Sequence, residues 1–277
     1  MKPTNEPRSL LRELEQRARR RFGQHFLTDR GVVRRMVGGA RVSPGDSVVE
    51  IGPGLGILTE QLLASQVELT AVELDRDLAA YVRERFPEVR LIEGDAAKVD
   101  WDEVTPGSGW KVVANLPYNV GTTVVMQLVR RPETFASVTV MLQLEVVQRM
   151  MAEPGSKAYG ALSVQVQARA QPRFVLKLPP GAFHPPPKVD SAVIHLDVHA
   201  SPATGTCPAA HFDKVVRAAW SHRRKTLRNS LAASWGRERA DRALADAGIE
   251  AGLRPEQVGL AGYVALAEAD HASRDAR

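Results

Sequence analysis

The sequence predicts an α/β fold in which a doubly wound sheet binds a nucleoside-containing cofactor. The first observation is the segment Ser47 to Leu58, where a short apolar strand runs directly into glycines at positions 52, 54 and 56. Such runs are typical of strands covered on both faces, and glycines let the backbone approach a ligand. The second is Glu73, an acid at the end of the next predicted strand, about 20 residues further on, where a carboxylate can accept hydrogen bonds from ribose hydroxyls.

The spacing of these glycines does not by itself identify the cofactor. A GxGxG pattern followed by an acid suits a nicotinamide dinucleotide and S-adenosylmethionine (SAM) equally well. The same glycines are also compatible with a tight turn that binds no ligand. The rest of the chain must therefore decide between these interpretations.

Length and composition limit the class of protein. The 277 residues, 44% of them hydrophobic, suffice for one large domain or for a medium domain with a small appendage. A single cysteine, Cys207, excludes an internal disulfide framework and offers no thiol cluster, so we expect no metal site. The N-terminus is charged, and no apolar run approaches the ~20 residues of a membrane span. We therefore expect a cytoplasmic protein with no membrane partner.

Basic residues are concentrated in two segments. The net charge is +5, arginines crowd the first 21 residues, and residues 214–237 contain no acid. The basic side chains of the second segment are Lys214, Arg217, Arg223, Arg224, Lys225, Arg228 and Arg237. Two basic segments beside a nucleotide-type fold favour a polyanionic partner, although basic runs are often only solvated helix faces.

The elements of the first half follow from periodicity and capping residues. FGQHFLTD, residues 22–29, lacks periodicity and is predicted to be a loop. Asp29 is a candidate N-cap of a helix over residues 31–38, and Asp75 or Asp77 opens a later helix. Further helices are predicted over residues 59–64 and 122–129, and strands over residues 67–74, 89–93 and 110–114.

Two groups of polar residues follow predicted strands at the edge where open α/β sheets bind ligands. Asp95 comes directly after the strand 89–93, where it is equally well explained as a turn or cap residue. The strand 110–114 runs into Asn115, Leu116, Pro117 and Tyr118. The proline prevents a helix there and leaves carbonyls without helical partners. An amide, free carbonyls and a tyrosine face can together hold a planar nucleobase.

The second half begins with a strand over residues 138–142 and a helix over residues 145–151. A turn-rich loop is predicted over residues 153–160, a helix over 162–170, and strands over 174–178 and 189–196. Between those strands the prolines of residues 179–188 form a stiff segment that holds Phe183 in place. Composition then changes to Ala- and Arg-rich helices, so we place a domain boundary near residue 200. The predicted divisions are a basic arm (1–21), a catalytic domain (22–200) and a helical RNA-binding domain (201–277).

The ordered motifs of the chain resemble the ribosomal RNA adenine dimethyltransferase family, in particular its KsgA (RsmA) type. These motifs are FGQHFLTD, EIGPGLGILT, VELD, GDA, NLPYN, EPGSKAYGALSV, FHPPPKVDSAV and RRKTLRNSL. The resemblance implies a class I SAM-dependent methyltransferase fold, that is, a Rossmann-like, seven-stranded, mostly parallel sheet, with a small α-helical C-terminal domain. It also implies transfer of two methyl groups to each of two adjacent adenosines in a hairpin loop near the 3′ end of small-subunit (16S) rRNA.

The resemblance assigns roles to residues of this chain. It places SAM against His25, Leu27, Gly52, Glu73, Asp95 and Asn115. It assigns the target adenine to Asn115, Leu116, Pro117, Tyr118 and Phe183, with Tyr118 and Phe183 sandwiching the base. Apart from the resemblance, the basic segment without acids predicts an RNA-backbone contact surface formed by Arg223, Arg224, Lys225 and Arg228, to which Lys157 adds. Many members carry Asn where this chain has His25, but either side chain can form a hydrogen bond. The expected partner is rRNA of the pre-30S particle, and the expected state is a monomer.

Three other functions stay open at this point. A nicotinamide-dependent oxidoreductase would use the same glycine turn but has no need of NLPY or of a basic helical domain. A ribosome assembly factor would bind the same RNA with catalysis secondary. An Erm-type enzyme shares NLPY and modifies large-subunit rRNA, but the PGSKAYG and RRKTLRNSL segments resemble the small-subunit type.

Overall fold

The computed structural model describes residues 25–222 and 224–275. The predicted basic arm, the first residues of FGQHFLTD and Arg223 lie outside the described residues. The described chain divides into two compact units. One comprises residues 25–147 and Arg173–Val198, and the other comprises Gln148–Pro172 and residues 199–275. The second unit thus includes a segment that the sequence analysis assigned to the catalytic domain.

A seven-stranded sheet forms the frame of the first unit. The strands of the described chain are β1 Phe26–Leu27, β2 Ser47–Ile51, β3 Glu68–Glu73, β4 Arg90–Glu93, β5 Trp110–Asn115, β6 Phe135–Gln143, β7 Ala170–Leu178, β8 Phe183–His184 and β9 Ser191–Val198. The order in the sheet is β4-β3-β2-β5-β6-β9-β7. The neighbours from β4 to β6 pair in parallel, and β9 pairs antiparallel with β6. The predicted class I methyltransferase architecture is confirmed.

Helices connect and cover these strands. In the described chain they are α1 Arg30–Ala40, α2 Ile57–Ala64, α3 Arg76–Arg85, α4 Trp101–Val104, α5 Gly121–Leu128, α6 Leu144–Met151, α7 Ala161–Gln167, α8 Ala209–Ala219, α9 Leu227–Trp235, α10 Arg237–Asp246 and α11 Leu260–Asp275. The core of the first unit joins apolar residues of α1, α2 and α3 to those of the sheet. Met36 and Leu62 are fully buried in it, and each such side chain stabilises the unit by about 1.5–3 kcal/mol.

Capping residues begin two helices where the sequence predicts. Asp29 accepts hydrogen bonds from the backbone N–H groups of Gly31 and Val32 and so begins α1. Of the two candidates for α3, Asp75 is the N-cap, because its side chain accepts from the N–H groups of Asp77 and Leu78. Both caps satisfy N–H groups that the first helical turn leaves without partners. Helix starts are therefore local features that the sequence predicts well.

Two predicted elements are wrong, and both involve distant strand pairing. FGQHFLTD was expected to be a loop, but Phe26–Leu27 form β1, which pairs antiparallel with Phe183–His184 of β8. The helix predicted to reach Ala170 ends at Gln167, and Ala170 already begins β7. β7 is an edge strand, where Pro172 is tolerated because one side of the strand needs no ladder hydrogen bonds. Apolar periodicity alone could not show either pairing.

The second unit is a helical bundle with its own apolar core, formed mainly by α8, α9, α10 and α11. Tyr159 is buried in that core and donates a hydrogen bond to the carbonyl of Val258 at 3.2 Å. The N–H of Gly155 donates to the carbonyl of Glu256 at 2.6 Å. These two contacts explain why the loop carrying EPGSKAYG belongs to this unit rather than to the sheet. Within the residues that the model describes, no helix is long and apolar enough to cross a membrane.

Candidate active site at the carboxyl edge of the sheet

A cavity of about 680 Å³ opens where β2, β3, β4 and β5 end. It is lined by nine of the residues that the sequence analysis singled out, namely His25, Leu27, Gly52, Glu73, Asp95, Asn115, Leu116, Pro117 and Tyr118. A volume of this size is typical of sites for ligands and cofactors. Parallel strands bring their carboxyl ends to one edge, which is why residues far apart in sequence meet here. Among the described residues, no group of three or more His, Cys, Asp or Glu could hold a metal ion.

The glycine turn after β2 forms one wall of the cavity. Gly52, Gly54 and Gly56 have φ angles of 70°, 55° and 80°, in the left-handed region that side chains disfavour. Gly56 is also restricted by packing, because a Cβ there would lie 2.2 Å from a ring atom of Phe86. The turn is held to β3 by the Gly52 N–H, which donates to the carbonyl of Val72 at 2.9 Å. Each glycine therefore adopts a backbone conformation that a larger residue would strain.

Glu73 is buried at the end of β3, with 2% of its surface exposed. One carboxylate oxygen accepts from the Gly54 N–H at 3.1 Å and the other from the Asp75 N–H at 3.0 Å. Burial raises the pKa of Glu73, while these backbone hydrogen bonds oppose the rise. The carboxylate therefore fixes the glycine turn in addition to facing the cavity.

Glu50 is a cavity residue that the sequence analysis missed. It is 1% exposed, and its Oε2 accepts a hydrogen bond from the Thr59 hydroxyl at 2.7 Å. Its Oε1 is buried and has no hydrogen-bond partner among the described residues. Burial, with a smaller contribution from nearby Glu73, raises the pKa of the Glu50 carboxyl to about 8. The available signal was an acid inside the apolar run SVVEI, a position where charged residues are rare.

Asp95 lies in the turn after β4 and combines the two roles considered for it. Its Oδ1 accepts a hydrogen bond from the Ala97 N–H at 3.0 Å, as in a turn. Its Oδ2 lies 3.4 Å from Nζ of Lys98, and its side chain is about one-third exposed, at 31%. It also lines the cavity. Asp95 therefore stabilises the turn and can also bind a ligand in the cavity.

The polar groups of the NLPY segment (Asn115–Tyr118) differ in whether they are still available to bind a ligand. Nδ2 of Asn115 donates to the carbonyl of His25 at 3.3 Å, an arrangement that leaves Oδ1 to act as the acceptor toward a ligand. The carbonyl of Pro117 accepts from the N–H groups of Val120 and Gly121 at 3.2 and 3.0 Å. The start of α5 thus uses both lone pairs of the Pro117 carbonyl. Of the two carbonyls expected to accept from a base, the structure favours that of Leu116.

Tyr118 is held in place on two sides. Its hydroxyl is 2.6 Å from the Ser191 hydroxyl, and its ring stacks on that of His25 with centroids 5.8 Å apart and an interplanar angle of 29°. Nδ1 of His25 is in turn 2.7 Å from the carbonyl of Pro185. Burial raises the pKa of the Tyr118 hydroxyl. His25 therefore contacts both Asn115 and Tyr118, which the sequence could not show.

Phe183 does not line the cavity, contrary to the expectation that it faces Tyr118 across a target base. It is 4% exposed, lies opposite Leu27 in the β1–β8 pair and belongs to the core of the first unit. An aromatic ring next to an apolar core gains more from burial than from exposure in an open cavity. Phe183 and Tyr118 therefore do not form a sandwich in this structure. The stacking of Phe183 on a target base stays a prediction.

The predicted RNA-binding residues lie in the second unit and differ in their surroundings. Arg224, Lys225 and Lys157 are exposed. Arg228 is not a free cation, because both oxygens of Asp241 accept hydrogen bonds from its guanidinium. The absence of acids from residues 214–237 of the sequence therefore does not leave Arg228 without an acidic neighbour in space. α9 and α10 pack together and bring in an acid from beyond the basic segment.

The loop that carries Lys157 is anchored at the end of α8, shortly before Arg224 and Lys225 in the sequence. Tyr159, two residues after Lys157, packs edge-on against Trp220 with ring centroids 6.0 Å apart. Trp220 is the C-cap of α8, and the chain continues from there toward Arg224 and Lys225. Lys157 and the pair Arg224 and Lys225, which are about 65 residues apart in sequence, thus share one helical unit.

Comparison with known proteins places the chain in a family. A family model described as ribosomal RNA adenine dimethylase matches residues 15–266. The ribosomal RNA small subunit methyltransferase A of Alcanivorax borkumensis is 44% identical over 256 residues, covering 91% of this chain and 90% of that protein.

Two solved structures are similar over most of the chain. The 23S rRNA methyltransferase ErmE has a TM-score of 0.68 at 25% identity, covering 89% of this chain and 99% of its own. A dimethyladenosine transferase from Plasmodium falciparum shares the fold, with a TM-score of 0.74 at 23% identity, covering 87% of this chain and 96% of its own. On the match of the family model and the identity to its relative, this chain belongs to the ribosomal RNA adenine dimethylase family.

Proposed function

We propose that this chain is a SAM-dependent methyltransferase that converts two adjacent adenosines in the 3′-terminal hairpin loop of 16S rRNA to N6,N6-dimethyladenosine. The observation that carries the proposal is that one cavity is lined both by Glu73, an acid positioned to bind ribose hydroxyls, and by the Asn115–Tyr118 segment. The identity of 44% to a small subunit methyltransferase, against 25% to ErmE, supports the small-subunit target over the 23S target. The motif EPGSKAYG, anchored in the helical unit by Tyr159, adds to that support.

The residues of the cavity fit SAM as the cofactor. Gly52 and Gly54 allow close approach of a ligand to the backbone, and Glu73 offers carboxylate oxygens for ribose hydroxyls. Asp95 would bind the adenine amine, and Asn115 with His25 and Leu27 would hold the methionine end. The buried Oε1 of Glu50, to which no described residue donates a hydrogen bond, is a further polar group that a ligand could satisfy. When bound, the cofactor supplies an electrophilic methyl group.

The residues of this chain would act by binding and orientation. The N6 amine of adenine is a weak nucleophile because its lone pair is delocalised into the ring. Oδ1 of Asn115 and the carbonyl of Leu116 can accept its two hydrogens and so direct the lone pair outward. Tyr118 would stack on the base, which is worth about 1–3 kcal/mol. Alignment of the reacting atoms at about 3–3.5 Å then accounts for much of the acceleration, and no nucleophilic side chain is required.

We also propose that the helical unit docks on the rRNA through the exposed cations Lys157, Arg224 and Lys225, with Arg223 as part of the same segment. The chain would act as a monomer on the pre-30S particle in the cytoplasm. Phosphate contacts of this kind position a protein without reading sequence. The arm of residues 1–21, the catalytic domain of residues 22–200 and the RNA-binding domain of residues 201–277 remain our proposed functional divisions, except that the segment Gln148–Pro172, which carries Lys157, belongs to the helical unit and is assigned to RNA docking.

The direct test is methyl transfer to ribosomal particles that lack this modification. Small subunits from a strain without the modification are incubated with labelled SAM and the chain, and the modified nucleotides are mapped. We expect four methyl groups on two adjacent adenosines, because each N6 amine accepts two. Asn115→Ala should abolish transfer, and large subunits treated in parallel should stay unlabelled. Labelling of 23S rRNA instead would establish the Erm-type function, and restoration of subunit maturation by the Asn115→Ala protein would favour an assembly factor.

RNA docking has a separate test in the salt dependence of binding to small subunits. Log affinity falls with log salt by roughly 0.7–0.9 per phosphate neutralised. The double variant Arg224→Ala/Lys225→Ala should reduce that slope by about 1.4–1.8 and leave SAM affinity unchanged. Arg228→Ala is the matched control, because its guanidinium is already bound by Asp241 and its loss should change the slope less. An unchanged slope in the double variant would mean that the RNA docks elsewhere.

A further inference from the structure

Ser191 carries a buried hydroxyl next to the candidate active site, and the sequence analysis did not single it out. Its Oγ lies 2.6 Å from the hydroxyl of Tyr118, the ring proposed to stack on the target base. Ser191 is fully buried, and it is not one of the residues that line the cavity. It can therefore act on a bound base only through Tyr118.

The direction of β9 explains why Ser191 reaches this edge of the sheet. β9 runs antiparallel to β6, and Ser191, its first residue, lies opposite Gln143, the last residue of β6. The N–H of Leu144 donates to the carbonyl of Asp190 at 3.0 Å, which holds the backbone just before Ser191. The first residue of an antiparallel strand thus lies where its parallel neighbours end. Tyr118 follows β5 at the same edge, 73 residues earlier in the chain.

Tyr118 needs such a contact because its own backbone lies outside the regular elements. It is partly buried and belongs to the turn between β5 and α5. Its ring stacks on that of His25, with centroids 5.8 Å apart. Stacking has broad geometric tolerance, whereas a hydrogen bond prefers a narrow range of distance and angle. The bond to Ser191 therefore fixes the hydroxyl end of the ring more tightly than the stacking contact can.

We propose that Ser191 is a positioning residue for methyl transfer, which holds the Tyr118 ring in the plane on which the target base stacks. The inference rests on the proposed function, in which Tyr118 acts through the face of its ring. The Tyr118 hydroxyl then serves as an anchor to β9 and takes no part in proton transfer. In agreement, burial raises the pKa of this hydroxyl, so it stays protonated at neutral pH.

Loss of the anchor should slow turnover without weakening the binding of either ligand. Ser191→Ala should lower kcat for methylation of small subunits by about 2- to 12-fold, the range that corresponds to one neutral hydrogen bond. KM for the subunits should not change, because RNA docking is assigned to the helical unit. SAM affinity measured by calorimetry should also stay the same, because Ser191 does not line the cavity.

A double-mutant cycle with Tyr118→Phe separates positioning from a general structural role of the serine. Tyr118→Phe keeps the ring and removes the hydroxyl, so it should lower kcat by a factor similar to that of Ser191→Ala. In the Tyr118→Phe background, Ser191→Ala should have little further effect, because the bond that it removes is already absent. Equal losses of kcat from Ser191→Ala in the two backgrounds would overturn the inference, since the serine would then act independently of Tyr118.

Ser137→Ala is the matched control for removal of a buried serine hydroxyl from the same sheet. Ser137 is 6% exposed and lies near the opposite end of β6, where it pairs with Asp197 at the end of β9. Its substitution should leave kcat unchanged, with thermal unfolding followed for every variant. A fall in kcat as large as that of Ser191→Ala would show a general effect of the sheet and would overturn the assignment.

The remaining outcomes distinguish the inference from the proposed function. Wild-type protein that does not methylate small subunits with SAM would overturn both. An active wild type with unchanged kcat in Tyr118→Phe would overturn the inference alone, even if Ser191→Ala does not fold, because the ring would be placed correctly without the bond. A loss of SAM affinity in Ser191→Ala as large as its loss of kcat would assign the serine to the cofactor site and would also overturn the inference.

Discussion

Replacing Glu50 with glutamine should remove a pH-dependent loss of stability from the unit that contains the sheet. The folded chain raises the pKa of this carboxyl from 4.5 to about 8 through burial. A carboxyl whose pKa is raised by folding favours the native state fully below its unfolded pKa. That contribution is lost as the pH rises toward the folded pKa, because the unfolded chain ionises freely and the folded chain does not.

The size of the effect follows from that interval. One pKa unit corresponds to about 1.4 kcal/mol. Between pH 5 and pH 8, which lie inside the range from 4.5 to about 8, the wild-type protein should lose about 3–4 kcal/mol of unfolding free energy through Glu50. The variant lacks this term, and all other titrating groups are common to both proteins. The difference in stability should therefore shift in favour of Glu50→Gln by that amount.

The assay must report on the unit that contains Glu50. Trp101 and Trp110 belong to that unit, whereas Trp220 and Trp235 belong to the helical unit. Urea unfolding is followed by fluorescence in a background in which the latter two are phenylalanine, for both proteins, at pH 5, 6, 7 and 8. A stability difference that stays constant across this range would show that Glu50 is ionised in the folded protein and would refute the reasoning.

Two further substitutions test packing at the site. Gly56→Ala should destabilise the chain by about 1–3 kcal/mol more than Gly45→Ala. Both positions have a positive φ, but the new Cβ would meet Phe86 at Gly56, whereas at Gly45 it would have no atom of the described residues within 4 Å. Equal losses in urea unfolding would remove the steric argument. Phe183→Leu, which keeps an apolar side chain opposite Leu27, should depress methyl transfer and leave calorimetric SAM affinity nearly intact; equal loss of both would indicate a structural role alone.

The parts of the fold that depend on short stretches of chain were predictable. The glycines at positions 52, 54 and 56 all have positive φ, as a turn at a strand end demands. Asp29 and Asp75 begin helices through side chain to backbone hydrogen bonds that span two or three residues. Residues after successive strands were expected at one edge of the sheet, and Glu73 and Asn115 do line one cavity. Each of these predictions rests on geometry within a few residues or on the common direction of parallel strands.

Other features required the tertiary structure. The pairing of Phe26–Leu27 with Phe183–His184 joins segments about 157 residues apart, and no local pattern in FGQHFLTD predicts it. This pairing brings Phe183 into the core and sets His25 against Tyr118. The neutralisation of Arg228 likewise comes from Asp241 of another helix.

The amino-acid sequence by itself determined the family, the order of the elements and most of the residues at the cavity, because motif spacing, strand ends and helix caps are properties of neighbouring residues. Only the tertiary structure decided which of those groups can still form a hydrogen bond to a ligand. Two backbone N–H groups bind Glu73, α5 uses the Pro117 carbonyl, and Oε1 of Glu50 accepts no hydrogen bond from the part of the chain that the structure describes. Burial and hydrogen bonding depend on what surrounds a side chain in space, and these two quantities set its charge and its availability to a ligand.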